Sequence, residues 1–237
     1  MVIITGVSRG IGKALAETYL NQGVKVIGIG RKNTIEHENY EFHEADLSIH
    51  DQVLQLLPLI KMWAQNEKEL TFIHNAGVIG EINRFSTKAN DTPKVFQINV
   101  FSGIEIAHTI LQNRPKNKEF NCIFMSSGAG KRPVPSWSAY CSSKAAVDLF
   151  LQTVYQEEIE LGRTHFRCHS ISPGVVDTDM QAEIRRTREA DFSSRNTFKS
   201  YYDRLELENP RSVAKKIVHF LEKSEENQVV ISVKDFR

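Results

Sequence analysis

The chain has 237 residues, 41% of them hydrophobic and 25% charged, which suits one globular domain with a sizeable core. Lys and Arg number 30 against 29 Asp and Glu, so bulk electrostatics point to neither nucleic acid nor a membrane surface. Apolar runs such as VLQLLPLI are too short to span a bilayer, Met1 leads into VIITG with no leader pattern, and Cys122, Cys141 and Cys168 match no metal or disulfide spacing, so a cytoplasmic setting is expected.

In chain order, VIIT (Val2–Thr5) reads as a buried strand, followed by a helix in IGKALAETYLNQG that stops near Gly23. VKVIGIG (Val24–Gly30) is the next strand, and YEFHEADL holds a third. DQVLQLLPLIKMWAQN reads as a helix that Pro58 is expected to kink or split. LTFIHNAG is a fourth strand. Asp91-Thr92-Pro93 reads as a cap followed by Pro at the first helical position, opening a helix to about Asn113, where Pro115 forbids continuation. FNCIFMSS is a fifth strand, Ser138 to Leu161 a long helix ended by Gly162, and FRCHSISPG a sixth strand. Asn209-Pro210 opens a helix through Leu221, and QVVISV is a last short strand.

This alternation implies an α/β, Rossmann-type doubly wound domain over residues 1–237: a mostly parallel sheet of about seven strands with helices on both faces. Ala182 to Glu208 breaks the rhythm; it is polar and Arg-rich, with Phe192, Phe198, Tyr201 and Tyr202 interspersed. It reads equally as a substrate lid over about 180–208 or as a surface helix pair.

TGVSRGIG follows the first strand and opens the first helix, the place where an open α/β sheet binds phosphate. Gly6 permits the tight turn, and Gly10 and Gly12 allow close approach of a pyrophosphate and close helix packing. The second strand ends in GIGRKN, placing Arg31 and Lys32 where an NAD site carries an acid, and Arg9 lies in the glycine turn. Guanidinium groups bind a 2′-phosphate that a carboxylate would repel, so the expected cofactor is NADP(H). Tyr140 and Lys144, in WSAYCSSKAAV, are four residues apart on one helix face.

Taken in order, these stretches resemble the short-chain dehydrogenase/reductases over nearly the whole chain. TGVSRGIG is similar to that family's cofactor turn, HNAG (His74–Gly77) to its Asn-Ala-Gly motif, and YCSSK to its Tyr-x3-Lys. Ser127 stands thirteen residues before Tyr140, Asn99 matches the helix asparagine, and SPGVVDT matches the turn after the sixth strand. GAGKRPVPSWSAYCSSKAA and PGVVDTDMQ resemble the sepiapterin reductase and benzil or diketone reductase branch.

The resemblance implies an NADPH-dependent carbonyl reductase. Tyr140 would donate the proton, with a pKa lowered by Lys144 and the oxidised nicotinamide; Ser127 would hold the carbonyl; Asn99 would position a water that links Lys144 to solvent. Lys144 would also hold the nicotinamide ribose. Gly6, Ser8, Arg9, Gly10, Ile11, Gly12, Asn75, Ala76 and Gly77 would line the cofactor. Asp46, beside Leu47, would meet the adenine, and Pro173, Gly174, Val176 and Thr178 would flank the nicotinamide. Trp137, Met180, Phe192 and Tyr202 are expected to wall an apolar substrate pocket, with Phe192 and Tyr202 reading equally as core or lid packing, and Asp235 is a match to a pterin-anchoring aspartate. No metal is expected. The resemblance further implies a homodimer or homotetramer that acts on a small carbonyl compound. Another ketone reductase of the family, such as a 3-oxoacyl reductase, is the runner-up. A cofactor-binding regulator would not need the proton relay, and a serine hydrolase would need a G-x-S-x-G elbow that Ser127 lacks.

Overall fold

A strand buried on both faces must be apolar throughout, and VIIT meets that demand: every residue of β1 (Val2–Thr5) is buried. In the computed structural model, which describes residues 1–87, 91–223 and 228–236, β1 is an interior strand of a parallel sheet. The other strands are β2 (Val26–Gly30), β3 (Tyr40–Glu44), β4 (Glu69–His74), β5 (Glu119–Met125), β6 (Phe166–Ser172) and β7 (Val230–Ser232). Their order is β3-β2-β1-β4-β5-β6-β7, with every pairing parallel. The direction of winding reverses between β1 and β4, so a crevice opens beyond the carboxyl ends of those strands.

Side chains alternate between the two faces of the sheet. Ile3, Ile27 and Phe72 point to one side, where α2 (His50–Asn66), α4 (Ser102–Asn113) and α5 (Ser138–Glu160) cover them with Ile60, Ile106 and Leu151. Val2, Ile4 and Ile73 point to the other, covered by Leu15 of α1 (Gly10–Asn21) and Ile217 of α8 (Pro210–Lys223). Gly23 and Gly162 end their helices at φ of +75° and +66°, as helix stops require. Among the described residues, no helix is long and apolar enough to cross a membrane.

Two helices depart from expectation. Pro58 neither splits nor ends α2, which runs from His50 to Asn66. Pro58 and Leu54 both face solvent, so the carbonyl that loses its partner can be hydrated. The helix from Thr92 to Asn113 is broken in register: α3 (Thr92–Phe96) passes through a π-helical turn (Gln97–Phe101) before α4. Such turns recur at functional sites, and this one carries Asn99. Asp91 precedes α3 as expected, and its carboxylate accepts from the backbone N–H of Glu81 at 3.1 Å.

The segment from Ala182 to Glu208 is largely helical: α6 (Asp179–Arg186) and α7 (Arg195–Asp203) flank a fully buried Phe192. Phe192 stacks on Trp137 with centroids 5.2 Å apart, and Phe198 adds a third ring at 5.1 Å from Trp137.

Candidate active site

A cleft of about 320 Å³ runs along the carboxyl ends of the strands from Arg31 to Met180. Its floor is the turn between β1 and α1. Gly6 has φ of +73°, and a Cβ on Gly12 would stand 2.2 Å from the Gly6 carbonyl oxygen and 2.3 Å from Asn75 Nδ2, so α1 can approach the sheet only with glycine there. Asn75 spans this contact by donating Nδ2–H to the carbonyls of Thr5 and Gly6. Gly6, Ser8, Arg9, Gly10 and Ile11 line the cleft, as do Ala76 and Gly77.

Behind this turn sits a buried network. His74 Nε2 faces the Ile98 carbonyl at 3.0 Å; a carbonyl only accepts, so Nε2 carries the proton. Nδ1 then accepts from the Thr5 hydroxyl at 3.0 Å, and Thr5 Oγ1 in turn accepts from the backbone N–H groups of Asn75 and Ala76. Burial and then the Lys144 charge push the His74 pKa down to about 3.

At one end of the cleft are Arg31, Asp46 and Leu47. Burial disfavours the Asp46 carboxylate, yet hydrogen bonds from the Ser48 backbone and hydroxyl, with the charges of Arg31 and Lys94, hold its pKa below the ordinary value. Lys32 is not among the lining residues; its carbonyl accepts from Ser8 Oγ at 2.7 Å, which ties the loop after β2 to the glycine turn. Arg9 Nη1 pairs with Asp179 Oδ2 at 2.6 Å.

At the other end stand Tyr140 and Lys144, both buried. Burial pushes the Tyr140 pKa up to about 12, against a hydrogen bond with Ser127 that lowers it. The expected lowering by Lys144 is not what this arrangement gives. Lys144 Nζ lies 5.7 Å from the Tyr140 ring centroid and donates to the Met125 carbonyl at 2.7 Å, so burial of the phenol dominates. Burial lowers the Lys144 pKa to about 8, opposed by the negative charge of Asp148. Ser127 Oγ accepts from the Ala129 N–H at 3.2 Å, which leaves its own proton to donate.

Asn99 is fully buried, and its amide is committed: Oδ1 accepts from the Val78 N–H at 2.8 Å, and Nδ2 donates to the Val78 carbonyl and to Ser143 Oγ. It clamps the chain after Gly77 to α5.

Pro173 and Thr178 line the cleft, whereas Gly174 and Val176 are not among the lining residues. Gly174, at φ of +86°, turns the chain after β6, and Val176 bridges to Glu208. Thr178 stands at the N-cap of α6 and donates to the Val176 carbonyl at 3.4 Å. Trp137 meets Tyr140 edge-on at 5.7 Å. Met180 borders both the cleft and a neighbouring cavity of about 500 Å³ edged by Ile82, Glu183 and Arg186. Asp235 is not brought to either cavity: it lies in the turn Val233–Asp235, next to a Phe236 ring that stacks on Phe220 of α8 at 4.1 Å.

The sequence reading missed Lys94, Ser48 and Ser126, which also line the cleft. The signal for Lys94 was its place one residue after Pro93, visible only once α3 is set over the cleft. Among the described residues, no group of three or more His, Cys, Asp or Glu side chains is placed to hold a metal ion.

Comparison with known proteins fits this geometry. A family model described as short chain dehydrogenase matches residues 1–189. A benzil reductase ((S)-benzoin forming) of Bacillus cereus is 33% identical over 94% of this chain and 94% of its own length. A sepiapterin reductase of Xenopus laevis is 27% identical over 94% of this chain and 90% of its own. The crystal structure of a short-chain dehydrogenase/reductase of Saccharomyces cerevisiae superposes with a TM-score of 0.86 at 25% identity, covering 99% of this chain and 96% of that one. An open parallel sheet, a glycine turn at its switch point and a Tyr-x3-Lys pair beside it are thus joined to a family match over most of the length: the chain belongs to the short-chain dehydrogenase family of oxidoreductases, which bind a nicotinamide cofactor.

Proposed function

We propose that the protein is an NADPH-dependent reductase of ketones or 1,2-diketones, with Tyr140 as the proton donor. The observation that carries this reading is one cleft with Arg31 at one end and the buried Tyr140 and Lys144 at the other. The residues present fit the cofactor. The approach of α1 at Gly12 leaves its N-terminus open to a pyrophosphate, Arg9, Arg31 and Lys94 supply positive charge in the cleft for a 2′-phosphate, and Asp46 offers an acceptor for an adenine amine. When bound, NADPH supplies the hydride.

The chain's own residues then manage the carbonyl oxygen. Ser127 donates to it and stabilises negative charge as it develops. Tyr140 gives up its proton: a phenol near 12 is still far more acidic than an ordinary alcohol, so transfer to an alkoxide runs downhill. The Lys144 ammonium offsets the phenolate charge, and its donors can reach ribose hydroxyls. Asn99 and the His74 network keep Gly77 and Ala76 in place along the cofactor. Trp137, backed by Phe192 and Phe198, packs edge-on against Tyr140 and holds the phenol from behind, while Met180 borders the cleft itself. The likeness to benzil and sepiapterin reductases supports the ketone or diketone class. Phe101, Leu149, Ile159 and Leu161 are exposed on the helices that carry Asn99 and Tyr140, which supports pairing of two copies there.

The test is oxidation of NADPH by purified protein, followed by the absorbance of reduced nicotinamide, with benzil, other 1,2-diketones, sepiapterin and an acetoacetyl thioester. Turnover of a diketone or sepiapterin that prefers NADPH over NADH is expected. Tight NADPH binding with no turnover of any of these would overturn the reading.

A further inference from the structure

Tyr140 and Lys144 continue to a third buried polar residue with the same spacing. Asp148 lies one helical turn beyond Lys144 on α5 and is 6% exposed. Its Oδ1 accepts from Ser170 Oγ of β6, while Oδ2 accepts no hydrogen bond among the described residues. That second oxygen presses on the turn that follows Ser127: a Cβ on Gly130 would lie 3.0 Å from Asp148 Oδ2, 3.0 Å from the Lys144 carbonyl carbon and 3.1 Å from the Ala145 nitrogen. A half-satisfied carboxylate in the interior is costly, and an asparagine would satisfy Ser170 equally well. What an asparagine lacks is charge.

We propose that Asp148 is a positioning residue for Lys144: its buried carboxylate, one turn below the lysine, keeps the ammonium charged and in place beside Tyr140. This rests on the reductase reading above. The neighbouring titratable groups leave that task to Asp148. On α5 they are Cys141 and Tyr140, whose phenol burial keeps neutral. From β4 comes His74, whose ring stays neutral. From β6 comes Cys168, whose thiol burial pushes up to about 12. The turn after Ser127 contributes Gly130, and β5 contributes the Met125 carbonyl that accepts a hydrogen bond from the Lys144 ammonium. Burial disfavours the Lys144 charge, and the negative charge of Asp148 opposes that effect.

Because Lys144 acts in its protonated form, removing the carboxylate moves its deprotonation to lower pH. In Asp148→Asn, the alkaline limb of kcat/KM is expected about 1–3 pH units lower than in the parent, with rates converging at acid pH. The same displacement is expected without added cofactor in the pH titration of the Lys144 15Nζ resonance, assigned by its loss in Lys144→Met. Asp148→Glu should restore much of the parent titration, and Asp148→Ser serves if Asp148→Asn does not fold. A Lys144 titration unchanged in the neutral variants would overturn the proposal, even if their melting temperatures fell. If the parent protein bound NADPH tightly but turned over none of the offered carbonyl compounds, the reductase reading would fail instead, whatever Lys144 did.

Discussion

Arg9 and Asp179 form an ion pair of 2.6 Å across the mouth of the cleft, joining the glycine turn to the first residue of α6. Both side chains are about two-thirds exposed or more, at 71% and 66%, so the pair is worth roughly 1 kcal/mol at most. Arg9 is also a proposed ligand of the 2′-phosphate, and it cannot serve both partners fully. Asp179→Asn is therefore expected to tighten NADPH binding by no more than about fivefold, read from the quenching of protein fluorescence. Weaker binding would show that Arg9 is held for α6 and not for phosphate.

Arg31 lines the cleft beside Asp46 and contributes to holding that carboxylate ionised. Arg31→Asp should cut the ratio of kcat/KM for NADPH over NADH by at least about tenfold, since one charge-assisted phosphate contact is lost and a repulsion added. An unchanged ratio would remove Arg31 from phosphate recognition.

Tyr140→Phe deletes the acid and leaves the ring that packs edge-on against Trp137. Turnover should drop by about 10²–10⁴-fold or more with NADPH affinity unchanged. Retained activity would assign proton donation elsewhere.

Thr5 is fully buried, and its hydroxyl serves three partners. Thr5→Val keeps the shape but strands the N–H groups of Asn75 and Ala76 and the Nδ1 of His74. A stability loss of about 2–4 kcal/mol is expected in urea denaturation, with a raised KM for NADPH. A loss below about 0.5 kcal/mol would mean that these groups find other partners.

The fold was legible wherever periodicity and punctuation agreed. VIIT, FNCIFMSS and the long helix ended by Gly162 stand where their patterns place them. The glycine turn was legible from its place between the first strand and the first helix, and Asn75 and the Tyr140–Lys144 pair through the family resemblance of the motifs that carry them. What stayed hidden depends on partners distant in sequence. The π-helical turn at Asn99 answers to Val78 and Ser143, which no local pattern reveals. Pro58 reads as a helix breaker, but whether it breaks depends on which face meets water. Asp235 looked like a ligand because of its four-residue context, whereas its position follows from the packing of Phe236 on Phe220. The direction of the Tyr140 shift was hidden because the reach of Lys144 is taken up by the Met125 carbonyl on β5.

The imidazole of His74 has both nitrogens engaged, and burial holds its pKa near 3, so the ring is uncharged at neutral pH. It therefore works as a neutral strut: through the Thr5 hydroxyl and the Ile98 carbonyl it ties the central part of the sheet to the π-helical turn and adds no positive charge behind Lys144.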